Sequence, residues 1–226
     1  MCIHTPSQGV RAGILHFLYS SIYFNFRCFI DCGAVVSASN KLRVTSECHN
    51  SPCNSSIYEW RLKHLNEATN TWDKITISPN MTSTAVDATN MIIKKNSLPS
   101  GVKFNLILVV TSPAGSEGFA VLDFETAGEP HSGHCSPSVI EGVALETEFT
   151  FECFGWQDKN TPLTYEFRAG KDPISYGSSS KSVSTVLPAG QPLDDYQLAI
   201  NIIIKNSVGV AVVETLYVKV TSLFWQ

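Results

Sequence analysis

The side chains of this sequence most capable of chemistry are its cysteines, which fall in pairs along the chain. Seven are present: Cys2, Cys28, Cys32, Cys48, Cys53, Cys135 and Cys153. Thiols can form disulfides, hold zinc or, beside a histidine, act as nucleophiles. The close spacing of residues 28 and 32, of 48 and 53, and of 135 and 153 favours disulfides and an oxidising compartment.

Zinc binding and nucleophilic catalysis are the competing interpretations of these cysteines. His49 lies beside Cys48, and His131 and His134 precede Cys135. However, the sequence has no Cys-x-x-Cys pair and no second ligand pair at the spacing of a zinc finger. A disulfide also accounts for Cys135 better than a Cys–His catalytic pair does. We therefore expect neither a metal nor a cofactor.

No other catalytic set is visible in the sequence. It lacks a Gly-x-Ser-x-Gly elbow, an HExxH motif and a phosphate-binding P-loop. The serine run at residues 178–180 has no oriented base beside it and is interpreted as a turn or a glycan-rich loop. This pattern predicts a protein that is not an enzyme.

The pairing of the cysteines is predicted in part. Cys135 and Cys153 are expected to form a disulfide. On the chain-entropy model, closing a loop of this size raises the free energy of unfolding by roughly 3 kcal/mol. The four earlier cysteines allow three connectivities, so their pairing stays open. The two considered are Cys28–Cys32 with Cys48–Cys53, and Cys28–Cys48 with Cys32–Cys53. Cys2 is left over.

Two N-glycosylation sequons agree with a secreted protein. Their acceptors are Asn54, in Asn54-Ser55-Ser56, and Asn80, in Asn80-Met81-Thr82. The most apolar N-terminal stretch, residues 12–24, is either a short signal-like segment or the start of a fragment. It is too short to span a bilayer, and no other segment approaches about 20 uninterrupted apolar residues. Any membrane attachment is therefore expected through parts outside this chain.

Length and charge limit the remaining classes. A chain of 226 residues accommodates one large domain or two modules of about 100 residues. A net charge of −4 argues against a sequence-independent nucleic-acid binder, which needs a basic surface. We expect protein or glycan ligands of unknown identity and no nucleic acid.

From about residue 40 the pattern is that of β-strands. Short runs rich in Val, Ile, Thr, Tyr and Phe alternate with Gly, Pro, Asn and Ser, and helix is limited to a turn or two. The predicted strands are 41–45, 57–63, 74–78, 90–95, 103–111 and 118–125, then 144–153, 163–169, 183–187, 196–205 and 210–220.

An internal repeat organises these strands into two modules. The segment 58–62 resembles 165–169, and the strand–turn–strand from Asn105 resembles the one from Ala199. A repeat near 100 residues is the size of a β-sandwich module. We predict an uncertain N-terminal segment at 1–39, a first module at 40–127 and a second at 128–226, joined by a Pro/Gly-rich boundary at 128–133.

The repeat also predicts the core aromatics and a difference in charge. Trp60 and Phe167 stand at the same repeat position and are expected to fill the two cores. The second module has 6 basic and 11 acidic residues and is therefore acidic. We interpret this acidity as that of an ordinary solvated surface. A calcium site is the alternative, but Asp194-Asp195 is an isolated pair without an Asp-x-Asp-x-Asp-Gly loop.

Several segments of the second module form an ordered series of motifs. They are 133–137, 142–149, 151–156, 162–165 and 187–190, which hold a Cys-x-Pro, a Gly-Trp and a Pro-Leu-x-Tyr in order. This series resembles a known family, the receptor-for-egg-jelly (REJ) module of the polycystin family. Segments 40–44, 58–60 and 96–99 resemble the stretch that precedes it in the family. The chain departs from the family pattern in the spacing after Cys135, which is one residue short.

The resemblance implies fibronectin type III-like β-sandwiches in the extracellular region of multi-pass membrane proteins that act as receptors or channel subunits. The chain is then expected to be a non-enzymatic extracellular segment, a spacer and a ligand or adhesion surface. The alternative is a secreted carbohydrate-binding or enzyme-accessory module, in which aromatic side chains would stack on sugar rings. The aromatics considered for that role are Trp72, Trp156 and Tyr176.

Overall fold

The chain is all-β and folds into two compact units, Met1–Ala127 and Gly128–Gln226. The structure is a computed structural model that describes residues 24–30, 33–48 and 55–222, with side chains described at 33–46 and 55–222. No α-helix occurs in these residues, and a short 3-10 helix spans Pro192–Asp194. Within the same residues, no helix has the length and apolar character needed to cross a bilayer.

The first unit is a sandwich of a three-stranded and a five-stranded sheet. Its strands are β1 (Phe24–Ile30), β2 (Val35–Val36), β3 (Leu42–Cys48), β4 (Ile57–Asn66), β5 (Thr71–Ile75), β6 (Asn90–Ile93), β7 (Lys103–Thr111) and β8 (Glu117–Thr126). The sheets have the orders β1-β3-β6 and β2-β8-β7-β4-β5. All neighbours are antiparallel except the edge strand β2, which runs parallel to β8.

The second unit has the same construction. Its strands are β9 (His134–Pro137), β10 (Glu141–Val143), β11 (Glu148–Phe154), β12 (Thr164–Ala169), β13 (Asp172–Ser178), β14 (Ser182–Val186), β15 (Gln197–Lys205) and β16 (Ala211–Thr221). The sheets have the orders β14-β11-β9 and β10-β16-β15-β12-β13, and the edge strand β10 runs parallel to β16. Each strand of the first unit has its counterpart eight strands later in the second, so the repeated sequence folds into the same topology twice.

Each core lies between the two sheets of its unit, and strict alternation along the strands supplies it. In β7 the buried side chains are Phe104, Leu106, Leu108 and Val110, with less buried residues between them. Since successive side chains of a strand point to opposite faces, this alternation gives one core face and one outer face. Strand β15 repeats the pattern with Ile200, Ile202 and Ile204.

The strand predicted over residues 144–153 is shorter in the structure, because residues 144–147 form a turn between β10 and β11. Strand β10 ends at Val143, Leu145 has a positive φ of 61°, and β11 begins at Glu148. The Val143 amide donates to the Thr147 hydroxyl at 2.8 Å, which closes the turn. The turn lets the chain pass from β10, which pairs with β16 in one sheet, to β11 in the other sheet.

Strands also occur before residue 40, where the first module was predicted to begin. Strand β1 pairs with β3, and β2 pairs with β8, so both belong to the sheets of the first unit. Residues 1–23, which include most of the signal-like stretch, lie outside the described residues.

Candidate functional site

Cys135 and Cys153 form a disulfide between neighbouring strands of one sheet. They lie directly opposite each other on β9 and β11, with an S–S distance of 2.05 Å and a Cα–Cα distance of 4.0 Å. The Cys153 amide donates at 2.9 Å to the Lys181 carbonyl, on the side of β11 away from β9. The two cysteines therefore form a non-hydrogen-bonded pair, the position at which antiparallel strands approach most closely. Both residues are buried. Because the sulfurs are bonded to each other, neither is a free nucleophile or a zinc ligand.

The two histidines near this disulfide have structural contacts. The Nδ1 atom of His131 lies 2.8 Å from the Ser132 hydroxyl, and His131 exchanges two backbone hydrogen bonds with Gln157. The ring of His134 packs beside Phe154, with centroids 5.6 Å apart. Across the described part of the chain, no group of three or more His, Cys, Asp or Glu residues could hold a metal ion.

The Gly-Trp of the second module packs against the chain that leads into β9. The Trp156 indole is half-buried against the core and lies over Gly133, where a Cβ atom would overlap the ring. Gly155, which precedes the indole, has a φ of 70°. Trp156 therefore fixes the entry of the chain into the second unit and has limited surface for a ligand.

Two further motif glycines are sites of close approach. A Cβ at Gly142 would meet Thr147 and Phe149, and a Cβ at Gly190 would overlap the Tyr196 backbone. The Pro-Leu-x-Tyr element begins with a cis bond at Thr161–Pro162 and ends at the fully buried Tyr165. These residues are therefore explained by packing and turns, not by contact with a substrate.

A polar network anchors the boundary segment to the second unit. The Asn206 amide donates to the Gly128 carbonyl at 3.1 Å and to the Asp158 carboxylate at 2.9 Å. Its carbonyl oxygen accepts hydrogen bonds from the Val208 and Val210 amides. The stretch predicted as a boundary, 128–133, thus belongs to the second unit, and its first residue is held by Asn206 of that unit.

The earlier cysteines are only partly within the described residues. Cys32 and Cys53 lie outside them, whereas Cys28 and Cys48 lie on the paired strands β1 and β3. The register sets Cys28 opposite Val44 and sets Phe24 opposite Cys48. Four residues along a strand separate backbone positions by about 13 Å, well beyond the roughly 6 Å between Cα atoms that a disulfide requires. This register argues against a Cys28–Cys48 bond.

The remaining predicted residues fall in different environments. Trp60 and Phe167 are buried in the cores of their units, and the Trp60 indole donates to the Ala88 carbonyl at 2.7 Å. Asn80 is exposed in a turn, where an oligosaccharide has access to it. Asn54 lies outside the described residues.

Displaced pKa values do not mark a catalytic site in the described part of the molecule. The Arg61 guanidinium, at 2.8 and 2.7 Å from the Glu59 carboxylate, lowers the pKa of that glutamate on the surface. The Lys219 ammonium donates to the Asp195 carboxylate at 2.8 Å, and this hydrogen bond raises the pKa of the lysine. Burial raises the pKa of Tyr58 and Tyr165. These are surface ion pairs and packed phenols without an oriented nucleophile.

A groove lined by aromatic, charged and amide side chains lies in the first unit. It has a volume of about 500 Å³ and is lined by Ala34, Trp72, Lys103, Phe104, Asn105, Asp123, Phe124 and Glu125. Sequence reasoning selected Trp72 but missed Asn105 and Asp123, because only the β7–β8 register brings their side chains together. Of the other aromatics selected, Trp156 is packed on Gly133, and Tyr176 is an exposed residue of β13 in the second unit.

Comparison with known proteins settles the family. The model of the REJ domain matches residues 22–223, almost the whole chain. The chain belongs to the REJ domain family. It is 27% identical to human polycystin-1 over 191 residues, which cover 79% of this chain and 4% of polycystin-1. The chain therefore spans a small part of that relative.

Solved structures with a similar fold are distant in sequence from this REJ chain. An ice-binding, calcium-stabilised adhesin of an Antarctic bacterium has a TM-score of 0.47 at 11% identity, over 89% of this chain and 48% of the other. A two-domain fibronectin type III segment of chicken tenascin has a TM-score of 0.31 at 15% identity, over 80% and 93%. The fold assignment rests on the strand pairings above, and these likenesses concern the fold alone.

The REJ motif of this chain is a set of folding determinants. Its cysteines form the disulfide, its Gly-Trp seats the entry segment and its Pro-Leu-x-Tyr leads into the core. The motif therefore specifies a sandwich and leaves the exposed faces and loops free to vary in function.

Proposed function

We propose that this REJ chain is a non-enzymatic extracellular segment of a polycystin-like membrane receptor or channel subunit. It acts as a spacer and offers a ligand or adhesion surface. The observation that carries the proposal is the REJ match over residues 22–223, together with motif residues whose contacts are all structural. Function on a widely used fold resides in its surfaces, so the proposal concerns faces and loops.

The physical features of the two units support this role. A buried cystine suits an oxidising compartment, and an exposed Asn80 suits an N-linked glycan. The net charge of −4 does not suit nucleic acid, so the ligands are proteins or glycans. Membrane attachment would be made through parts of the larger protein outside this chain.

The test is accessibility on intact cells. The chain, carrying an epitope tag in its natural full-length context, is expressed in cultured mammalian cells and probed with a membrane-impermeant antibody. Labelling of intact cells, with sensitivity of the mass to an N-glycosidase, is the expected result. Labelling that appears only after permeabilisation would overturn the extracellular assignment.

The non-enzymatic part of the proposal has its own test. The purified chain is incubated with panels of ester, peptide and glycoside substrates, and each activity is re-measured in a Cys135→Ala/Cys153→Ala variant and in Glu59→Gln. No turnover above the buffer rate is expected. Turnover that one of these substitutions abolishes would contradict the proposal.

A further inference from the structure

The groove at Trp72 lies on the outer face of the five-stranded sheet of the first unit. Phe104 and Phe124 are buried and point into the core, so their neighbours Asn105 and Asp123 point outward. Trp72 lies on the edge strand β5, opposite Leu65 of β4, and the residue is 44% exposed. The groove is therefore an open surface feature with one aromatic wall and one polar wall.

The polar wall is a preformed amide–carboxylate pair. Asn105 and Asp123 are cross-strand partners, and the Asn105 amide nitrogen donates to an Asp123 carboxylate oxygen at 2.5 Å. This contact leaves the Asn105 carbonyl, its second N–H and the other Asp123 oxygen for a ligand. The Lys103 ammonium adds a donor at the same end of the strands.

The aromatic wall suits a ligand with a flat C–H surface. An indole offers a large apolar face with little conformational entropy to lose, and such faces stack on polarised C–H groups. The edge strand is fixed near Trp72 by the hydrogen bond from the Asn66 amide to Asp73 at 3.0 Å. Trp72 therefore lies on a strand whose pairing with β4 is held beside it.

The combination of walls discriminates among ligand classes. An apolar ligand would bury the remaining polar atoms of Asn105 and Asp123 without hydrogen-bond partners, which costs free energy. A phosphate or nucleic acid would meet two carboxylates of the groove lining, Asp123 and Glu125, against one ammonium of the lining, that of Lys103, so its charge is not matched there. A sugar ring has a C–H face for the indole and hydroxyl groups that both donate and accept, so it satisfies both walls.

We propose that this groove binds a neutral saccharide, with the C–H face of one ring on Trp72 and its hydroxyl groups on Asn105 and Asp123. The volume of about 500 Å³ is that of a site for a small ligand. The inference rests on the proposed adhesion role and names a ligand class for it. Trp156 and Tyr176 take no part.

The test uses the full chain, labelled with nitrogen-15 and titrated with methyl glycosides of glucose, galactose, mannose, fucose and N-acetylglucosamine. The expected result is a saturable shift of the Trp72 indole and Asn105 amide resonances with at least one glycoside. Trp72→Ala and Asp123→Asn should each weaken that affinity about tenfold, as expected for one lost stacking contact or charged hydrogen bond.

The matched control is Tyr176→Ala, which removes an exposed aromatic from β13, the equivalent edge strand of the second unit. It should bind the glycoside as tightly as the parent chain. The near-isosteric Asp123→Asn keeps the test valid if Trp72→Ala alters the fold. Absence of binding to every glycoside and to an array of oligosaccharides, or undiminished binding by both variants, would overturn the inference. Surface labelling of intact cells would still stand in that case, so failure of the saccharide site is distinct from failure of the proposed function.

Discussion

The indole of Trp156 lies so close to the Cα atom of Gly133 that residue 133 has no room for a side chain. The contact joins the segment that enters the second unit to the loop that follows the disulfide-bonded Cys153. It explains why a glycine and a tryptophan 23 positions apart occur in one motif.

Gly133→Ala should lower the free energy of unfolding of the second unit by about 1–3 kcal/mol, the usual cost of overpacking. The matched control is Gly177→Ala, because a Cβ at Gly177 meets only the Thr164 hydroxyl at 3.9 Å. Urea unfolding monitored by circular dichroism measures both. In a Trp156→Ala background the cost of Gly133→Ala should largely disappear, since the two residues are coupled. Equal stability of the two glycine variants would refute the packing explanation.

Removal of the cystine should destabilise the second unit by roughly 3 kcal/mol, because an open chain gains conformational freedom when it unfolds. The variant is Cys135→Ala/Cys153→Ala. Reductant should lower the free energy of unfolding of the second unit in the parent chain and leave that of the variant unchanged. Alkylation of Cys135 or Cys153 in unreduced, folded protein would contradict the disulfide.

The cysteines at 28, 32, 48 and 53 should pair as Cys28–Cys32 and Cys48–Cys53. The strand register separates Cys28 from Cys48, and the members of each predicted pair are close in sequence. Trypsin cuts after Arg27, Lys41, Arg43 and Arg61, so each predicted bond would lie within a single peptide. Mass spectrometry without reduction should find peptides 28–41 and 44–61 unlinked, each two hydrogens lighter than its reduced form. A species in which these two peptides are joined would contradict the prediction.

Stability should fall at alkaline pH because of two equivalent phenols. Burial raises the pKa of Tyr58 and Tyr165 above 10.0 in the folded chain. As pH rises above about 10, the phenols of the unfolded chain lose their protons before those of the folded chain. The contribution of the two tyrosines to the free energy of unfolding is therefore complete below that pH and is lost as the pH rises through their folded-state pKa values. In Tyr58→Phe/Tyr165→Phe the alkaline decline in the free energy of unfolding should be shallower. Parallel profiles for parent and variant would exclude this cause.

Strongly alternating strands could be predicted from the sequence, and weakly alternating edge strands could not. The prediction of 103–111 agrees with β7 because aliphatic residues alternate through it. Strand β13 was missed, since Asp172, Pro173 and Gly177 are typical of turns. It forms because a short hairpin joins it to β12, with which it pairs as an antiparallel strand. The hydrophobic pattern of residues 172–178 alone does not indicate this pairing.

The candidate groove was predictable only in its aromatic half. An exposed-looking Trp72 after a Thr- and Asn-rich turn suggested ligand stacking, but nothing in the sequence links Asn105 to Asp123, 18 positions later. Their contact depends on the length of the β7–β8 hairpin, which sets the register of the two strands. Binding sites on the face of a sheet are assembled by register in this way.

The 135–153 cystine also changes what a protease can accomplish. Residues 136–152 hold the turn between β10 and β11, including the exposed Leu145. A single nick within this stretch leaves both new ends covalently attached to one body through the sulfur bridge. Cleavage there would not shed the polypeptide on either side, and release would require a second event, either reduction or a cut beyond the loop.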